Sequence, residues 1–415
     1  MQDYYALAGV FASCRIKERP TIDESLYAPV RTAKAETAKH EAKVEELKKK
    51  KPQPKEEIEA LTVKIAELKE TPHFNVLMAP AVTEESLSVE RKGKTAQSGT
   101  KLVYHPEPRD LHLFVRGNPN RLGDVVPRRF LQVLSRSNQP TPFKTGSGRL
   151  ELAQAITTDA HPLAARVLVN RIWLAHFGRG LVTTPSNFGQ SGERPSHPEL
   201  LDDLAARFVA GGWSMKKLHR EIVLSATYRQ SSRDDRSRAK TDPDNLWLSR
   251  MPRTRLGVEA WRDAMLAVSG ELDNKIGGPS VGLTDAANKR RTIYCTIHRR
   301  EMSTMLLTHD FPDPTAHSPK RVGTTTTLQG LYALNGPMML TRAKALATRL
   351  LNKELESDTE RISLAYQLLF AREPSERETK LALDFVGDTA GEARKNTWIQ
   401  YAHVLLASNE FLYVN

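Results

Sequence analysis

Cysteine is nearly absent from this chain. Cys14 and Cys295 are the only two in 415 residues, so there is no CxxC pair, no CxxCH haem-attachment site and no zinc-ribbon spacing, and a single disulfide is the most they permit. Long apolar runs are missing as well. No window reaches the roughly 18 uninterrupted apolar residues that a membrane-crossing helix needs. Nor is there a glycine-rich phosphate loop or a dinucleotide fingerprint. Ser186 and Ser191 lack the Gly-x-Ser-x-Gly elbow of an α/β-hydrolase. His219-Arg220-Glu221 matches half of a zinc-deaminase signature, but the required Pro-Cys-x-x-Cys does not occur. The first residues, Met1-Gln2-Asp3-Tyr4-Tyr5-Ala6-Leu7-Ala8, have neither the basic start nor the apolar stretch of a signal peptide.

What is present is basic charge and enough apolar content for more than one core. Lys and Arg number 61 against 49 Asp and Glu, a net charge of +12, and 39% of residues are hydrophobic. Single cores stop growing near about 250 to 300 residues, so two or three packed units are expected. The basic excess is clustered. Arg116, Arg121, Arg128, Arg129, Arg136, Lys144 and Arg149 face Asp124 alone between 116 and 149, and Lys289, Arg290, Arg291, Arg299 and Arg300 form a second group. Such clusters suit acidic polysaccharide, anionic lipid headgroups or nucleic acid, or simply a solvated basic surface.

Residues 31–70 are almost wholly Ala, Lys, Glu, Leu, Val and Ile. Ile58, Leu61, Ile65 and Leu68 follow alternating spacings of three and four, with Val44 and Leu47 in a weaker seam before them. Lys51-Pro52-Gln53-Pro54 must interrupt the helix. An antiparallel coiled-coil hairpin is therefore expected, with arms of roughly 25 to 30 Å, serving as a spacer or assembly arm or as a solvated insertion. Short strands are expected over 74–82 and 111–119, and another over 291–297. Helices are expected over 162–177, 256–272, 326–335, 339–351, 362–370 and 396–407, with two more carrying Leu200 to Phe208 and Leu218 to Val223. The fold class that results is mainly α with minor β: a helical domain, a small strand-containing portion and the inserted hairpin.

Residues 159–232 specify the most structure. Pro162 fits the first turn of one helix and Gly178 closes it. Ser196-His197-Pro198-Glu199 has the form of a capping box for the next helix, and Ser214 is placed to cap the one after. Between the first two lies a polar loop, 181–194, too long for a simple connector. Arg166, Asn170 and Arg171 on the helix before it, Asn187 and Gln190 within it, and His197 and Arg229 beyond it form a candidate ligand-binding set. Guanidinium groups match carboxylate, sulfate or phosphate bidentately. The alternative is that these groups only tie the loop down. His161, His176, His197 and His219 surround the region without a spacing that singles out an acid or base. His309, Asp310, Asp313 and His317 gather two imidazoles and two carboxylates in one short segment, a candidate metal site, unless the two Asp residues cap backbone N–H groups.

The strings Asp3-Tyr4-Tyr5-Ala6-Leu7-Ala8-Gly9-Val10-Phe11, Arg116-Gly117-Asn118-Pro119, Val126-Pro127-Arg128-Arg129-Phe130, His161-Pro162-Leu163-Ala164-Ala165-Arg166-Val167-Leu168-Val169-Asn170-Arg171-Ile172-Trp173, Phe177-Gly178-Arg179-Gly180, Asn187-Phe188-Gly189, Tyr228-Arg229-Gln230-Ser231-Ser232, Phe311-Pro312-Asp313-Pro314 and Ser408-Asn409-Glu410-Phe411 resemble a family of large planctomycete proteins. In these, paired domains of unknown function follow a planctomycete-type cytochrome c domain. The resemblance implies that residues 1–30 end the first unknown domain, that 31–70 are the hairpin and 71–115 a connecting region, and that 116–415 are the second unknown domain. It further implies an extracytoplasmic setting and haem c on an upstream domain, although this chain has no haem motif and no signal peptide, as a split gene or a fragment would explain. It brings no catalytic residues.

The leading expectation is a helical binding or assembly module of an exported, cytochrome c-linked protein, its partner an acidic polysaccharide or another protein. A second is a hydrolase of acidic or sulfated polysaccharide, with Arg166, Asn170 and Arg171 holding the anion. A third is non-specific nucleic-acid binding through the basic clusters. Convergence of Arg166, Asn170, Asn187, Gln190 and His197 in one open pocket favours a ligand site at the loop; burial and saturated bonding favour a scaffold.

Overall fold

The computed structural model describes residues 1–414 apart from 96–97, 137–138, 234–235 and 286. About 49% of the chain is helical and 11% lies in small sheets, so the fold is mainly α with minor β. It divides into two compact units, Met1–Ala164 and Ala165–Asn415.

The first unit holds α1 (Gln2–Ala12), β1 (Cys14–Pro20), α2 (Glu24–Lys48), α3 (Lys55–Lys69), β2 (Met78–Glu84), β3 (Ser86–Arg91), β4 (Thr100–His105), β5 (Leu111–Phe114), β6 (Leu122–Val126) and α4 (Arg149–Thr158). Its strands pair as three antiparallel two-stranded ribbons, β1 with β2, β3 with β4 and β5 with β6. Tyr5 and Ala6 of α1 pack on Val126, Leu113 and Phe114, with the Tyr5 and Phe114 rings edge to face at 5.5 Å. Gly9 is required there, because a Cβ would stand 2.8 Å from Cγ of Arg128. Arg128 is 8% exposed and donates to Asp110 and to the Gly146 carbonyl, while Arg129 donates to Asp3. Two members of the first basic cluster are thus structural.

The two-helix segment is an insertion in the β1–β2 connection, since Cys14 to Pro20 pair with Glu84 to Met78 on its far side. Val44, Leu47 and Leu61 are buried between α2 and α3, with Ile58 and Ile65 against them, and Lys43–Glu57 and Lys69–Glu41 ion pairs cross between the helices. α2 begins at Glu24, seven residues before the composition changes, and carries Pro29 inside it. β1, with Arg15, Lys17, Glu18 and Arg19 on a two-stranded ribbon, has no apolar alternation to announce it.

The second unit comprises α5 (His161–Phe177), whose first turn ends the first unit, then α6 (Pro198–Ala210), α7 (Met215–Leu224), α8 (Arg236–Thr241), β7 (Thr254–Arg255), α9 (Val258–Val268), α10 (Thr304–Thr308), α11 (Thr327–Asn335), α12 (Pro337–Leu351), α13 (Asp358–Phe370), α14 (Glu376–Val386), α15 (Gly391–Leu406), α16 (Asn409–Leu412) and β8 (Tyr413–Val414). α5, α6 and α7 share one core built on Val169, Trp173, Phe177, Leu204, Phe208 and Ile222. A larger one joins α9 with α12 to α15 through Met265, Met339, Leu346, Ile362 and Trp398. Gly178 ends α5 with φ +70°, Ser214 caps α7, and Thr326 with Gln329 forms a capping box on α11.

Two local expectations fail, and one helix lies outside those expected. Residues 291–297 are not a strand but a 3₁₀ turn at Thr292–Tyr294. Asp263 and Arg262 of α9 take the Thr292 N–H and the carbonyls of Arg290 and Asn288, which a strand partner would have needed. Ser196 and Glu199 form no capping box. His197 is the N-cap of α6 without a side-chain bond, because the Ser196 hydroxyl pairs with His197 Nδ1 at 2.9 Å. α14 was not anticipated, yet Ser375 and Glu378 mark its start with a full capping box.

Glu378 also belongs to the strongest ionic cluster of this unit. Arg372 donates to both oxygens of Glu378 (2.9 and 2.8 Å) and to both oxygens of Glu410 (2.7 and 2.9 Å), joining the end of α13 to α14 and α16. The Arg372 bond lowers the Glu378 pKa from 4.5 to about 2, against the opposing effect of burial. A depressed carboxylate stabilises the fold fully above its unfolded pKa and loses that contribution as pH falls. Glu378→Gln is therefore expected to lower the melting temperature at pH 7, and the deficit against the native chain should shrink between pH 4.5 and about 2. Thermal melts followed by circular dichroism across that range check this.

Candidate functional site

The polar loop 181–194 is tied from within. The Asn170 side chain, fully buried on α5, donates to the Val182 carbonyl at 3.0 Å and accepts from the Val182 N–H at 2.8 Å. Gly180 leaves the room for this, as a Cβ there would lie 2.8 Å from Asn170 Oδ1. Thr184 Oγ1 donates to the Asn187 carbonyl and accepts from the Glu193 N–H, while Asn187 Oδ1 accepts from the Gly189 N–H. The loop therefore has one shape, held by saturated bonds.

The candidate set does not converge on a pocket there. Arg166 pairs with Asp202 at 2.6 Å. Asn187 bonds inside the loop, and His197 meets Ser196 and the edge of Trp247 at 5.5 Å. Arg171, Gln190 and Arg229 are exposed. Asn170, Thr184 and Asn187 thus serve to tie the loop down. His176 and His219 pair at 2.8 Å, and burial followed by the neighbouring ring holds His176 below its ordinary pKa.

The segment 309–317 also separates into independent bonds. Asp313 accepts from Thr315, His317 Nε2 meets the Ser186 hydroxyl at 3.0 Å, and His309 Nδ1 bonds the Met305 carbonyl at 2.9 Å. Among the described residues, no group of three or more His, Cys, Asp or Glu is placed to hold a metal ion. The two Asp side chains serve as backbone caps. Burial disfavours the charge on Asp310, but bonds from the Thr324 hydroxyl and N–H and from Gln329 outweigh it and keep the pKa low.

His309 and Asp310 nevertheless reach a site that the sequence did not reveal. A cleft of about 670 Å³ in the second unit is lined by Arg179, Arg250, Arg253, Arg255 and Arg321, with Asp244, Asp310, His309 and Trp261. Two of these arginines are neutralised: Arg321 binds Glu259 bidentately at 2.6 Å, and Arg255 faces Asp310 at 3.8 Å while donating to Gln329 at 2.8 Å. Arg250 donates to the Asp242 and Pro243 carbonyls. Arg179 and Arg253 are exposed and have no side-chain partner among the described residues. Arg179 and Arg253 are thus the arginines of this opening that no described carboxylate or carbonyl holds, and Asp244 in the same lining is exposed.

Backbone strain is concentrated there too. Asn245, Leu248 and Asp310 all line the cleft with φ of +50°, +51° and +60°. Asn and Asp enter this region more readily than other non-glycine side chains, but a branched aliphatic such as Leu very seldom does, so Leu248 is the strained position. Such strain persists where surrounding bonds enforce it, and it gathers at functional sites. Asn245 Nδ2 donates to the Arg250 carbonyl at 2.8 Å, and Gln230 donates to the Leu248 carbonyl at 2.6 Å. The strained turn thereby aims the Arg250 to Arg255 stretch along the wall.

His309 supplies the one imidazole of the lining. It is 7% exposed, between the Trp261 ring at 5.1 Å and the Tyr332 ring at 4.9 Å. Its bond to the Met305 carbonyl places the proton on Nδ1, so Nε2 carries the lone pair and has no partner among the described residues. Burial, reinforced by Arg255, holds the ring below its ordinary pKa against the Met305 bond and Asp310. The Trp261 indole N–H is buried without a partner.

The arginines come from three separated stretches, which explains why linear spacing missed them. The available signal was Arg250-Met251-Pro252-Arg253-Thr254-Arg255, three arginines in six residues beside a proline.

The model of the family described as PSD1, protein of unknown function (DUF1553), matches residues 148–386, more than half of the chain, and the chain belongs to that family. The match takes in all five arginines of the cleft. No curated protein and no solved structure matches the chain.

Replacing Asn170 by Leu would leave the buried N–H and C=O of Val182 unpaired. A loss of about 2 to 4 kcal/mol is expected, the order of two orphaned buried backbone groups. A lower urea midpoint at unchanged m-value would show it.

Proposed function

We propose that this PSD1-family chain is a binding module whose arginine cleft takes an acidic ligand, a sulfated or carboxylated saccharide. The observation that carries the reading is the unneutralised pair Arg179 and Arg253 at an opening whose other arginines are already fixed by carboxylates and carbonyls. Guanidinium groups are weakly hydrated and match sulfate and carboxylate with two parallel N–H donors. Strain at Leu248 supports a preformed site over an incidental groove.

The finer setting rests on the residues that resemble the planctomycete proteins: an exported, extracytoplasmic protein linked to a cytochrome c domain, with haem c carried outside this chain. The α2–α3 insertion, with its apolar seam, suits a coiled-coil assembly arm toward another protein. No helix of the described residues is long and apolar enough to cross a membrane. A nucleic-acid-binding face is the weaker reading, since Arg128, Arg129 and Arg290, prominent members of the two basic clusters, are engaged in internal bonds.

A second reading is favoured by His309. A neutral imidazole with its tautomer fixed, its Nε2 unpaired and arginines on the same wall is equipped to accept a proton from water or a sugar hydroxyl, as hydrolysis of an acidic polysaccharide would require.

Heparin and chondroitin sulfate oligosaccharides, titrated by calorimetry at low and moderate salt, test both readings. The native chain should bind at both salt levels, and Arg179→Ala or Arg253→Ala should each weaken binding about ten-fold, the worth of one charge-assisted contact. Binding that vanishes at moderate salt, or is indifferent to both substitutions, contradicts the module. If the oligosaccharides are also cleaved, His309→Gln should cut the rate by about 100-fold or more while binding persists. Binding without cleavage leaves the module and removes the hydrolase.

A further inference from the structure

A second cavity, of about 790 Å³, lies elsewhere in the same unit, and neither the family description nor the arginine cleft accounts for it. One stretch of its wall is apolar, with Leu283, Met305 and Leu306 and, beside them, Met338, and much of the rest is polar. Cavities of this size with apolar walls and a few converging polar groups are the usual form of a small-molecule site.

Three polar groups in this lining have donors left over. Arg342 is 5% exposed, and one Nη donates to Glu271, which leaves further N–H groups of its guanidinium uncommitted. Glu271 also takes Lys289 at 2.7 Å, so one carboxylate answers two cations. Arg262, 3% exposed, directs three N–H bonds to Arg290 O, Asn288 O and Thr292 Oγ1, and a guanidinium has five to give. Its nearest carboxylate, Asp263 at 3.7 Å, is likewise shared, with Arg291 at 3.8 Å. The Tyr332 hydroxyl has no partner among the described residues, and its ring is close enough to Arg262 for that charge to oppose the upward shift that burial gives the phenol. The carboxylates in the lining, Asp285 and Glu301, are both exposed, where solvent screens them.

We infer that this cavity binds a small amphipathic monocarboxylate, an alkyl acid, with its head accepting from Arg342, Arg262 and the Tyr332 hydroxyl and its chain along Leu283, Met305, Leu306 and Met338. The head completes donors that the protein leaves open, and the chain lies along the apolar stretch of the wall.

Decanoate is the probe, titrated calorimetrically below its micellar concentration into the full chain, with decan-1-ol as the uncharged control. One decanoate per chain is expected, bound at least ten-fold tighter than the alcohol. Tyr332→Phe, which keeps the ring, should weaken decanoate several-fold and leave the alcohol unchanged. Met338→Trp, which fills the cavity and keeps every charge, should abolish binding of both. Arg253→Ala in the arginine cleft should change neither. Each variant is melted alongside to show that it is folded. Absence of decanoate binding, equal affinity for acid and alcohol, or full affinity in folded Met338→Trp would overturn the assignment.

Discussion

Asp310 fixes one wall of the arginine cleft. It sits in a left-handed backbone conformation, accepts from the Thr324 N–H, the Thr324 hydroxyl and Gln329, and faces Arg255. Four consequences follow from one carboxylate. The irregular segment after α10 is anchored to the start of α11, the Arg255 guanidinium is fixed in the wall, His309 next to it is turned between Trp261 and Tyr332, and Arg321 lies within the loop that Asp310 closes. A non-glycine residue at φ +60° costs of order 1 to 3 kcal/mol, and the three accepted bonds offset it.

The same logic separates scaffold from site across the second unit. Around Asn170 the buried polar groups find partners inside the protein, and these bonds tie the loop 181–194 from within. Around the arginine cleft the accounting does not close: His309 Nε2 and the Trp261 indole N–H are left over among the described residues, beside the exposed Arg179 and Arg253. Buried polar groups are nearly always paired. A cluster of unpaired ones beside strained backbone is therefore the better guide to function than a conspicuous polar loop.

The parts of this fold that could be read from the sequence were those set by local rules. Gly178 and Pro162 bound α5, Ser214 and the Thr326–Gln329 pair start their helices, and Ile58, Leu61 and Ile65 mark α3, because caps and helical periodicity act within one or two turns. β1 escaped because four of its residues are charged and its partner lies beyond the inserted helices, 58 to 70 positions away. The 291–297 segment has the apolar, β-branched composition of a strand, and side chains of α9 override that tendency. The candidate site was legible only in fragments. His309 and Asp310 stood out as a cluster, but for metal ligation, and what they do is set by Trp261, Thr324 and Gln329. Arg179, Arg253 and Arg321 meet only through tertiary structure, and no spacing rule links them. The left-handed Leu248 cannot be inferred from a residue type that normally avoids that conformation.

The central claim is that the anion is recognised by shape at the arginine cleft and not by net charge. A crystal structure of the chain with a sulfated disaccharide at moderate salt tests it most directly. The account predicts the sulfate bound by Arg179 and Arg253, with a sugar hydroxyl directed at His309 Nε2. A disaccharide held only by the exposed basic residues of 116–149 or 289–300, with the cleft empty, would contradict it.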